Sequence, residues 1–243
     1  MRITGLLVIL FALFFSVQPS FSSEEGEVNF GDFTLLPLTH ASFVLYGADK
    51  TIYVDPVGEA ALYAKYPRPD LILITHIHGD HLAPELVSAL KGGGTRIIGA
   101  PTVVEKLGYG EAMSNGEAKE FNGISIEAIP AYNTTPERAN FHPKGRDNGY
   151  LLSYGGTRFY ISGDTEGTPE MLQLKDIDFA LLCMNLPYTM DVEAAAKAVL
   201  TFKPKVVMPY HYRGKGGMSD ISKFKELVEA GEGVEARLYD WYK

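Results

Sequence analysis

The segment Leu71–Leu82, with the sequence LILITHIHGDHL, constrains this chain more than any other. Its first four residues, Leu71–Ile74, are apolar and predict a buried strand. Four good metal ligands then follow within six positions: His76, His78, Asp80 and His81. Imidazole and carboxylate together favour zinc, manganese or iron, and not a structural zinc held by thiolates. The segment therefore predicts a metal site directly after a buried strand.

The spacing of the four ligands suits two ions. His76 and His78 are two residues apart, so in an extended chain both side chains point the same way and can share one ion. Asp80 and His81 follow Gly79, where the backbone can turn sharply, so they can reach a second ion.

Two ions need further ligands, and the sequence offers two candidates at predicted strand ends. A hairpin over Gly149–Tyr154 and Arg158–Ile161 leads to Asp164 in Gly-Asp-Thr. A short strand over Val206–Met208 leads to His211 in Pro-Tyr-His. We expect both side chains to complete the site begun by the histidine-rich loop.

The first residues differ from the rest of the chain. Arg2 is the only charged residue before Glu24, Leu6–Phe15 is almost wholly apolar, and small residues follow. This pattern predicts a secretory signal peptide over residues 1–22, and hence a periplasmic or secreted protein with no stable membrane insertion after cleavage. The alternative is an uncleaved N-terminal anchor. A single domain is predicted over residues 24–243.

The net charge bears on the partners. The chain of 243 residues carries 22 Lys and Arg against 30 Asp and Glu, a net charge of −8 that becomes −9 when Arg2 is lost. An acidic protein is a poor partner for nucleic acid, so we expect a small-molecule substrate. Nothing in the sequence indicates an oligomeric state.

Alternating strands and helices are predicted along the rest of the chain. The expected order is a β-meander, two βα units, a hairpin and two further βα units, arranged as two sheets with helices outside. The less regular expectations are a polar leader over Glu24–Asp32, a short helix over Glu59–Tyr66, a polar loop over Thr134–Asp147, a last helix over Ser219–Glu229 capped by Ser219, and a closing strand over Val234–Trp241.

The motifs THIHGDH at 75–81, GDT at 163–165 and PYH at 209–211 resemble the metallo-β-lactamase-fold hydrolase superfamily over essentially the whole mature chain. The resemblance implies an α/β fold, the αββα sandwich, with a dinuclear site at one edge between the sheets. It implies one ion on His76 and His78, and a second ion on Asp80, His81 and His211. Asp164 would bridge the two ions.

The opening strands resemble one branch of this superfamily, and one position departs from its pattern. Thr-His-Ala at 39–41 and Val-Asp-Pro at 54–56 resemble the branch that includes ascorbate-phosphate lactonases and other, uncharacterised metal-dependent hydrolases. This implies that His40 lies near the site and that Asp55 orients ligands. Where the family has a further histidine on the first ion, this chain has Asn133. Either His142 swings in from the polar loop, or Asn133 is a weak oxygen ligand, or the first ion binds weakly.

The resemblance and the ligand set predict a metal-dependent hydrolase with two divalent ions, zinc first and manganese or iron as alternatives. A water between the ions would attack a small ester, lactone or phosphoester, with Asp80 or Asp164 relaying the proton. His40, Asn133, Lys144 and Tyr188 are the expected substrate-facing residues. Rival hypotheses are a phosphodiesterase or nuclease, and a metal-binding or sensing module with little turnover. Antibiotic-cleaving β-lactamases carry cysteine where this chain has Asp164, so antibiotic hydrolysis is not expected.

Overall fold

The computed structural model describes residues 27–242. The signal peptide predicted over residues 1–22 lies outside this range, so it stays a prediction. Within residues 27–242, no helix is both long and apolar enough to cross a membrane.

Two seven-stranded sheets form the body of the molecule. The first sheet contains, in spatial order, Val28–Phe30 (β1), Phe33–Thr39 (β2), Ser42–Gly47 (β3), Lys50–Val54 (β4), Leu71–Ile74 (β5), Arg96–Gly99 (β6) and Glu111–Ala112 (β7). The second sheet contains, in spatial order, Ala118–Phe121 (β8), Ile124–Ala131 (β9), Asp147–Tyr154 (β10), Thr157–Ile161 (β11), Phe179–Cys183 (β12), Val206–Tyr210 (β13) and Glu235–Ala236 (β16). Arg213–Gly214 (β14) and Gly217–Met218 (β15) form a separate small hairpin.

Helices cover the outer faces of the two sheets. They are Pro84–Leu90 (α1), Pro101–Leu107 (α2), Pro169–Leu172 (α3), Val192–Phe202 (α4) and Ile221–Glu229 (α5), with a 3₁₀ turn at Ala60–Tyr63. The apolar side chains of strand β5 pack on both faces of the first sheet. Leu71 and Leu73 belong to the core shared by both sheets. Ile72 and Ile74 belong to a second core with residues of α1 and α2. The predicted αββα sandwich is thereby confirmed.

Several sequence-based boundaries were wrong. Val28–Phe30, predicted as part of a polar leader, pairs with β2 because Phe30 is buried and stacks on Phe179 at 4.3 Å between ring centroids. The last helix begins after Asp220, whose carboxylate accepts the Lys223 N–H at 2.9 Å, whereas Ser219 donates to the Met184 carbonyl.

Two other predicted elements are shorter than expected. The helix predicted over Glu59–Tyr66 is the single 3₁₀ turn Ala60–Tyr63. The closing strand predicted over Val234–Trp241 has only two paired residues, Glu235 and Ala236. After them the chain packs by its side chains, and Trp241 is buried against Tyr210 and Phe43.

The strand ends place the predicted ligands at one edge of the sandwich. In the first sheet, β5 runs parallel to β4 and β6, so His76 leaves the same edge as Asp55. In the second sheet, β11, β12 and β13 are parallel neighbours, so Asp164 and His211 leave one edge together with Asn185. Because carboxyl ends of parallel strands meet at one edge, residues far apart in sequence converge there.

Candidate metal centre

The histidine-rich loop turns tightly after β5. His81 and Leu82 both donate their backbone N–H to the His78 carbonyl, at 3.0 and 2.9 Å. This turn follows Gly79, as the sequence predicts. His76 Nε2 lies 3.0 Å from His78 Nδ1, so the two imidazoles present neighbouring nitrogen atoms.

All six histidines of the chain lie at this edge. Their ligand atoms and those of two aspartates form three groups, two of which share His76, and within each group the atoms lie within 4.8 Å of one another. The groups are His76 with His78 and His142, His76 with His81 and Asp164, and His40 with Asp80 and His211. Dispersed histidines would show no such convergence, so a surface loop that is merely rich in histidine does not explain the motif.

Asp164 faces both sets of histidines. Its Oδ1 lies 3.4 Å from His81 Nε2 and 3.4 Å from His211 Nε2, whereas its Oδ2 lies 3.4 Å from His142 Nε2. Ligand atoms about 2.05 Å from a tetrahedral zinc are about 3.3 Å from one another. The separations therefore match neighbouring ligands of shared cations, with one carboxylate oxygen directed to each.

Two buried polar atoms at the centre make no hydrogen bond within the described residues. They are His81 Nε2 and Asp164 Oδ1. Leaving such atoms unpaired costs about 1–3 kcal/mol each, so native proteins rarely do so without a ligand. A bound cation would satisfy both, and the donor set of nitrogen and carboxylate oxygen suits a zinc-like ion.

The polar loop carries His142 into the centre. Asn133 donates its backbone N–H to the His142 carbonyl at 2.9 Å, which holds the loop against the end of β9. His142 Nδ1 contacts Asp147 Oδ2 at 3.1 Å, and Arg146 holds that carboxylate through two further hydrogen bonds. This contact directs His142 Nε2 toward Asp164 and the His76–His78 pair.

Asn133 has a different environment. Its amide nitrogen donates to the backbone carbonyls of Arg138 and Tyr188, at 2.9 and 2.7 Å. Its amide oxygen is buried and has no hydrogen-bond partner among residues 27–242. The side chain thus ties two loops together and leaves only an oxygen for any further role.

The buried carboxylate of Asp55 orients the predicted ligand His81. Asp55 is fully buried and accepts hydrogen bonds from the Thr75 N–H and hydroxyl, both at 2.7 Å. Its Oδ2 also lies 2.8 Å from His81 Nδ1, which fixes the ring so that Nε2 faces Asp164. Such contacts set the tautomer and orientation of metal-binding imidazoles. This is the place that the resemblance implied for Asp55.

Three residues of this edge have left-handed backbone. They are His40, Asp55 and His211, with φ of 56°, 44° and 46°. This conformation is uncommon for residues other than glycine and clusters at functional sites. Gly163, at φ 61°, precedes Asp164, and a Cβ there would lie 2.8 Å from the Asn148 carbonyl oxygen. Only glycine therefore fits at the turn that delivers Asp164.

The electrostatics follow from burial and from the carboxylates. Burial lowers the pKa of His76 well below its ordinary value, and His81 lowers it further. Burial opposes ionisation of Asp164, but the imidazoles of His211 and His81 hold its pKa well below the usual range. Burial likewise opposes ionisation of Asp80, but contacts with His211 and His40 lower its pKa. Burial is the main cause that lowers the pKa of His40.

The other three predicted substrate-facing residues differ in how close they lie to the centre. His40 Nε2 lies 3.1 Å from Asp80 Oδ2, so it belongs to the centre. Tyr188 packs edge-on against Phe141 at 5.2 Å, beside His142. Lys144 lies over the Tyr132 ring at 4.8 Å and 3.5 Å from Glu170, and no contact joins it to the six histidines within the described residues.

Four residues that were not among the predicted site residues also contact the centre. Asp147 and Arg146 support His142, the amide nitrogen of Asn185 lies 3.1 Å from His211 Nδ1, and Tyr242 contacts His40. Asn185 had a signal, because it follows the buried strand β12 as the ligands follow theirs. Tyr242 had none, since 202 positions separate it from His40.

Comparisons with known proteins show the family of the chain. A family model described as a β-lactamase superfamily domain matches residues 34–211. A UPF0173 metal-dependent hydrolase from Thermococcus onnurineus is 34% identical over 205 residues, which are 79% of this chain and 90% of the relative.

Solved structures give the same result. A Parabacteroides distasonis protein assigned as a metal-dependent hydrolase is 42% identical with a TM-score of 0.80, covering 87% of this chain and 94% of its own. The metallo-β-lactamase fold protein YhfI from Bacillus subtilis, at 12% identity and a TM-score of 0.66 over 83% of this chain and 89% of its own, shares the fold. The chain belongs to the metallo-β-lactamase superfamily and is a metal-dependent hydrolase.

Proposed function

We propose that this hydrolase uses two divalent cations, zinc in the first instance, to cleave a small ester or lactone. The main support for this proposal is the position of Asp164, because its two oxygens face two different sets of histidines at 3.4 Å. One set is His76, His78 and His142; the other is His81 and His211 with Asp80. Bound ions of this kind lower the pKa of a coordinated water and polarise the bond to be cleaved.

The two aspartates would then have different tasks. Asp164 is buried, with 4% of its side chain exposed, and is surrounded by imidazoles, which suits a fixed bridging ligand. Asp80 has 48% of its side chain exposed, so it is the carboxylate that a substrate or a proton from solvent can reach. We therefore assign proton transfer to Asp80 and not to Asp164.

Apolar side chains on three loops support an ester or lactone with an apolar substituent. Phe141 directly precedes His142, Leu186 directly follows Asn185, and Met218 lies on β15. These side chains are 36%, 41% and 55% exposed, although most large apolar residues of the protein are buried. Exposed apolar groups beside a polar centre mark a ligand-binding surface.

A phosphoester is the second candidate, and one observation favours it. Arg213 and Lys215 follow His211 on the small hairpin, and neither forms an ion pair within residues 27–242. In a protein with a net charge of −8, two cations without carboxylate partners next to a metal centre suit an anionic substrate group.

One screen separates the candidates. Metal-free protein is reconstituted with zinc and assayed on alkyl lactones, carboxylic esters of increasing chain length, phosphodiesters, phosphomonoesters and a β-lactam. We expect kcat/KM to be highest for the lactones or esters and to rise with the apolar substituent. Higher activity on phosphoesters would support the second candidate. If the wild type cleaves none of them faster than Asp164→Asn does, the proposed substrate classes are wrong.

We further propose that the protein is exported. The support is the apolar stretch behind Arg2 and the small residues that follow it. Cell fractionation and N-terminal sequencing of the natively expressed protein test this. A mature chain that starts near residue 23 in the periplasm or medium is expected, and a cytosolic chain that retains Arg2 would contradict export.

A further inference from the structure

The C-terminal segment reaches the metal centre through Tyr242. The Tyr242 hydroxyl lies 2.8 Å from His40 Nδ1. The same oxygen accepts the backbone N–H of Arg213 at 3.1 Å. On its other side, His40 Nε2 lies 3.1 Å from Asp80 Oδ2. Four groups thus form a hydrogen-bonded chain from the small hairpin to a predicted ligand.

Donors and acceptors along this chain can be assigned in only one way when His40 is neutral. An ionised aspartate only accepts, so His40 Nε2 must carry the hydrogen that Asp80 receives. Nδ1 of a neutral imidazole is then an acceptor, and Tyr242 must donate to it. The Tyr242 oxygen keeps a lone pair for the Arg213 N–H, so every group is satisfied.

We propose that Tyr242 is a positioning residue whose hydroxyl fixes the His40 tautomer that donates to Asp80. His40 is then a support for Asp80 and not a cation ligand, although its Nε2 lies within 4.8 Å of ligand atoms of Asp80 and His211. The inference rests on the proposed function only in that Asp80 binds one of the ions.

The surrounding contacts hold His40 in place for this role. Its backbone N–H donates to the Trp241 carbonyl, and its own carbonyl accepts the His211 N–H, both at 3.3 Å. Its ring lies 3.8 Å from the His211 ring. The left-handed backbone of His40, at φ 56°, is retained by these contacts from the C-terminal segment and from the end of β13.

The tautomer can be read directly from metal-free protein. The ¹⁵N chemical shifts of the His40 imidazole at pH 8 distinguish Nε2–H from Nδ1–H, with His40→Gln used for assignment. We expect Nε2–H in the wild type, and a smaller excess of that tautomer in Tyr242→Phe, where only Asp80 still favours it. A wild-type spectrum with the hydrogen on Nδ1 would overturn the proposal. This readout depends neither on hydrolysis nor on bound metal, so failure of the proposed function leaves it intact.

Zinc binding tests the consequence for Asp80. Removal of a group that orients a ligand lowers metal affinity by about 10–100-fold. We therefore expect Tyr242→Phe to weaken the second zinc equivalent by about that factor in competition with a chelator. Tyr212→Phe is the matched control, because its hydroxyl binds the backbone of the same C-terminal segment and not His40. Equal losses in the two variants would indicate mere packing and would contradict the proposal.

Glutamine at position 40 supplies a test of the mechanism. Its amide nitrogen always donates, so it has no tautomer for Tyr242 to select. In the His40→Gln background, Tyr242→Phe should cost no further zinc affinity. Two outcomes would overturn the assigned role. One is that Tyr242→Phe lowers zinc affinity equally in both backgrounds. The other is that His40→Ala loses one zinc equivalent while Tyr242→Phe leaves zinc affinity unchanged.

Discussion

Asp164 is the residue at which the two halves of the centre meet. Its oxygens face histidines from β5, from the polar loop and from the end of β13. Replacing it by asparagine keeps the shape and removes one of the two anionic oxygens.

We expect Asp164→Asn to lose at least one of two zinc equivalents and about 100-fold or more in kcat/KM, because bridging needs two oxygens. Metal analysis and the lactone assay measure both effects. Glu193→Gln is the control, since Glu193 is an exposed carboxylate on α4. Full metal content in Asp164→Asn would mean that Asp164 does not bridge the ions.

His142 and Asn133 are the two candidates for the third ligand of the proposed first ion, and single substitutions distinguish them. His142 lies in a group with His76 and His78, whereas the Asn133 amide nitrogen binds backbone carbonyls. We expect His142→Ala to lower zinc from two equivalents to one, and Asn133→Ala to keep both while it loosens the loop. The reverse pattern in metal analysis would make Asn133 the ligand.

Sequence patterns indicated the site residues whose partners are close in sequence. They did not indicate those whose partners are distant in sequence. His76, His78, Asp80 and His81 stand in one motif after one strand, so spacing alone indicated a metal site. His142 remained one of several alternatives, because only the folded loop brings it beside Asp164. Tyr242 contacts His40 because the C-terminal segment packs against the first sheet, and no pattern in the sequence encodes that contact.

The polar loop between β9 and β10 is the element that places His142 at the centre. Glu166 accepts hydrogen bonds from the Thr134 and Thr135 N–H groups, at 2.8 and 2.7 Å. Arg138 donates to Glu166 at 2.6 Å and to the Thr189 carbonyl at 2.9 Å. One buried carboxylate thus anchors the start of the loop that carries His142.

We expect Glu166→Gln to lower the free energy of unfolding of the metal-free protein by about 2 kcal/mol at pH 7, since hydrogen bonds to a charged group are lost. Burial opposes ionisation of Glu166, but the hydrogen bonds from Thr135 and Thr134 lower its pKa below the ordinary 4.5. Its stabilisation is therefore complete above pH 4.5 and is lost as pH falls through the folded-state pKa.

Urea unfolding at several pH values measures this difference. The difference in free energy of unfolding between wild type and Glu166→Gln should narrow below pH 4.5. Glu232→Gln, at an exposed carboxylate in the turn after α5, should leave the free energy of unfolding close to that of the wild type. A gap that is independent of pH would mean that the loop is held by packing and not by the carboxylate.

For the prediction of helices and strands, the apolar runs were the most informative part of the sequence. Leu71–Ile74 lies where predicted, because it is a short buried apolar run bounded by turn residues. The weak points were Val28–Phe30 and Glu235–Ala236. Both are edge strands, whose extent is decided by the neighbouring strand and by Phe30 or Trp241 packing into the shared core.

The whole molecule places its metal centre across two sheets. His76 and His81 follow β5 of the first sheet. Asp164 and His211 follow β11 and β13 of the second sheet, and His142 lies in the loop between its strands β9 and β10. Cations held by both sets would link the sheets at one edge. They would also bind His81 Nε2 and Asp164 Oδ1, which lie 3.4 Å apart and make no hydrogen bond within residues 27–242. Metal binding should therefore be coupled to the stability of the entire sandwich.

Removal and return of zinc measure that coupling. A ligand at about 1,000 times its Kd stabilises the native state by about 4 kcal/mol, and for a chain of this length 1 kcal/mol raises Tm by about 2–4 °C. We expect chelation to lower Tm by roughly 10 °C and zinc to restore it, whereas magnesium should not, because it binds imidazole poorly. In Asp164→Asn the shift should be smaller, since one link between the sheets is lost. An unchanged Tm on chelation of zinc-loaded protein would show that the ions do not join the two sheets, and that the fold holds this cluster of six histidines without help from metal.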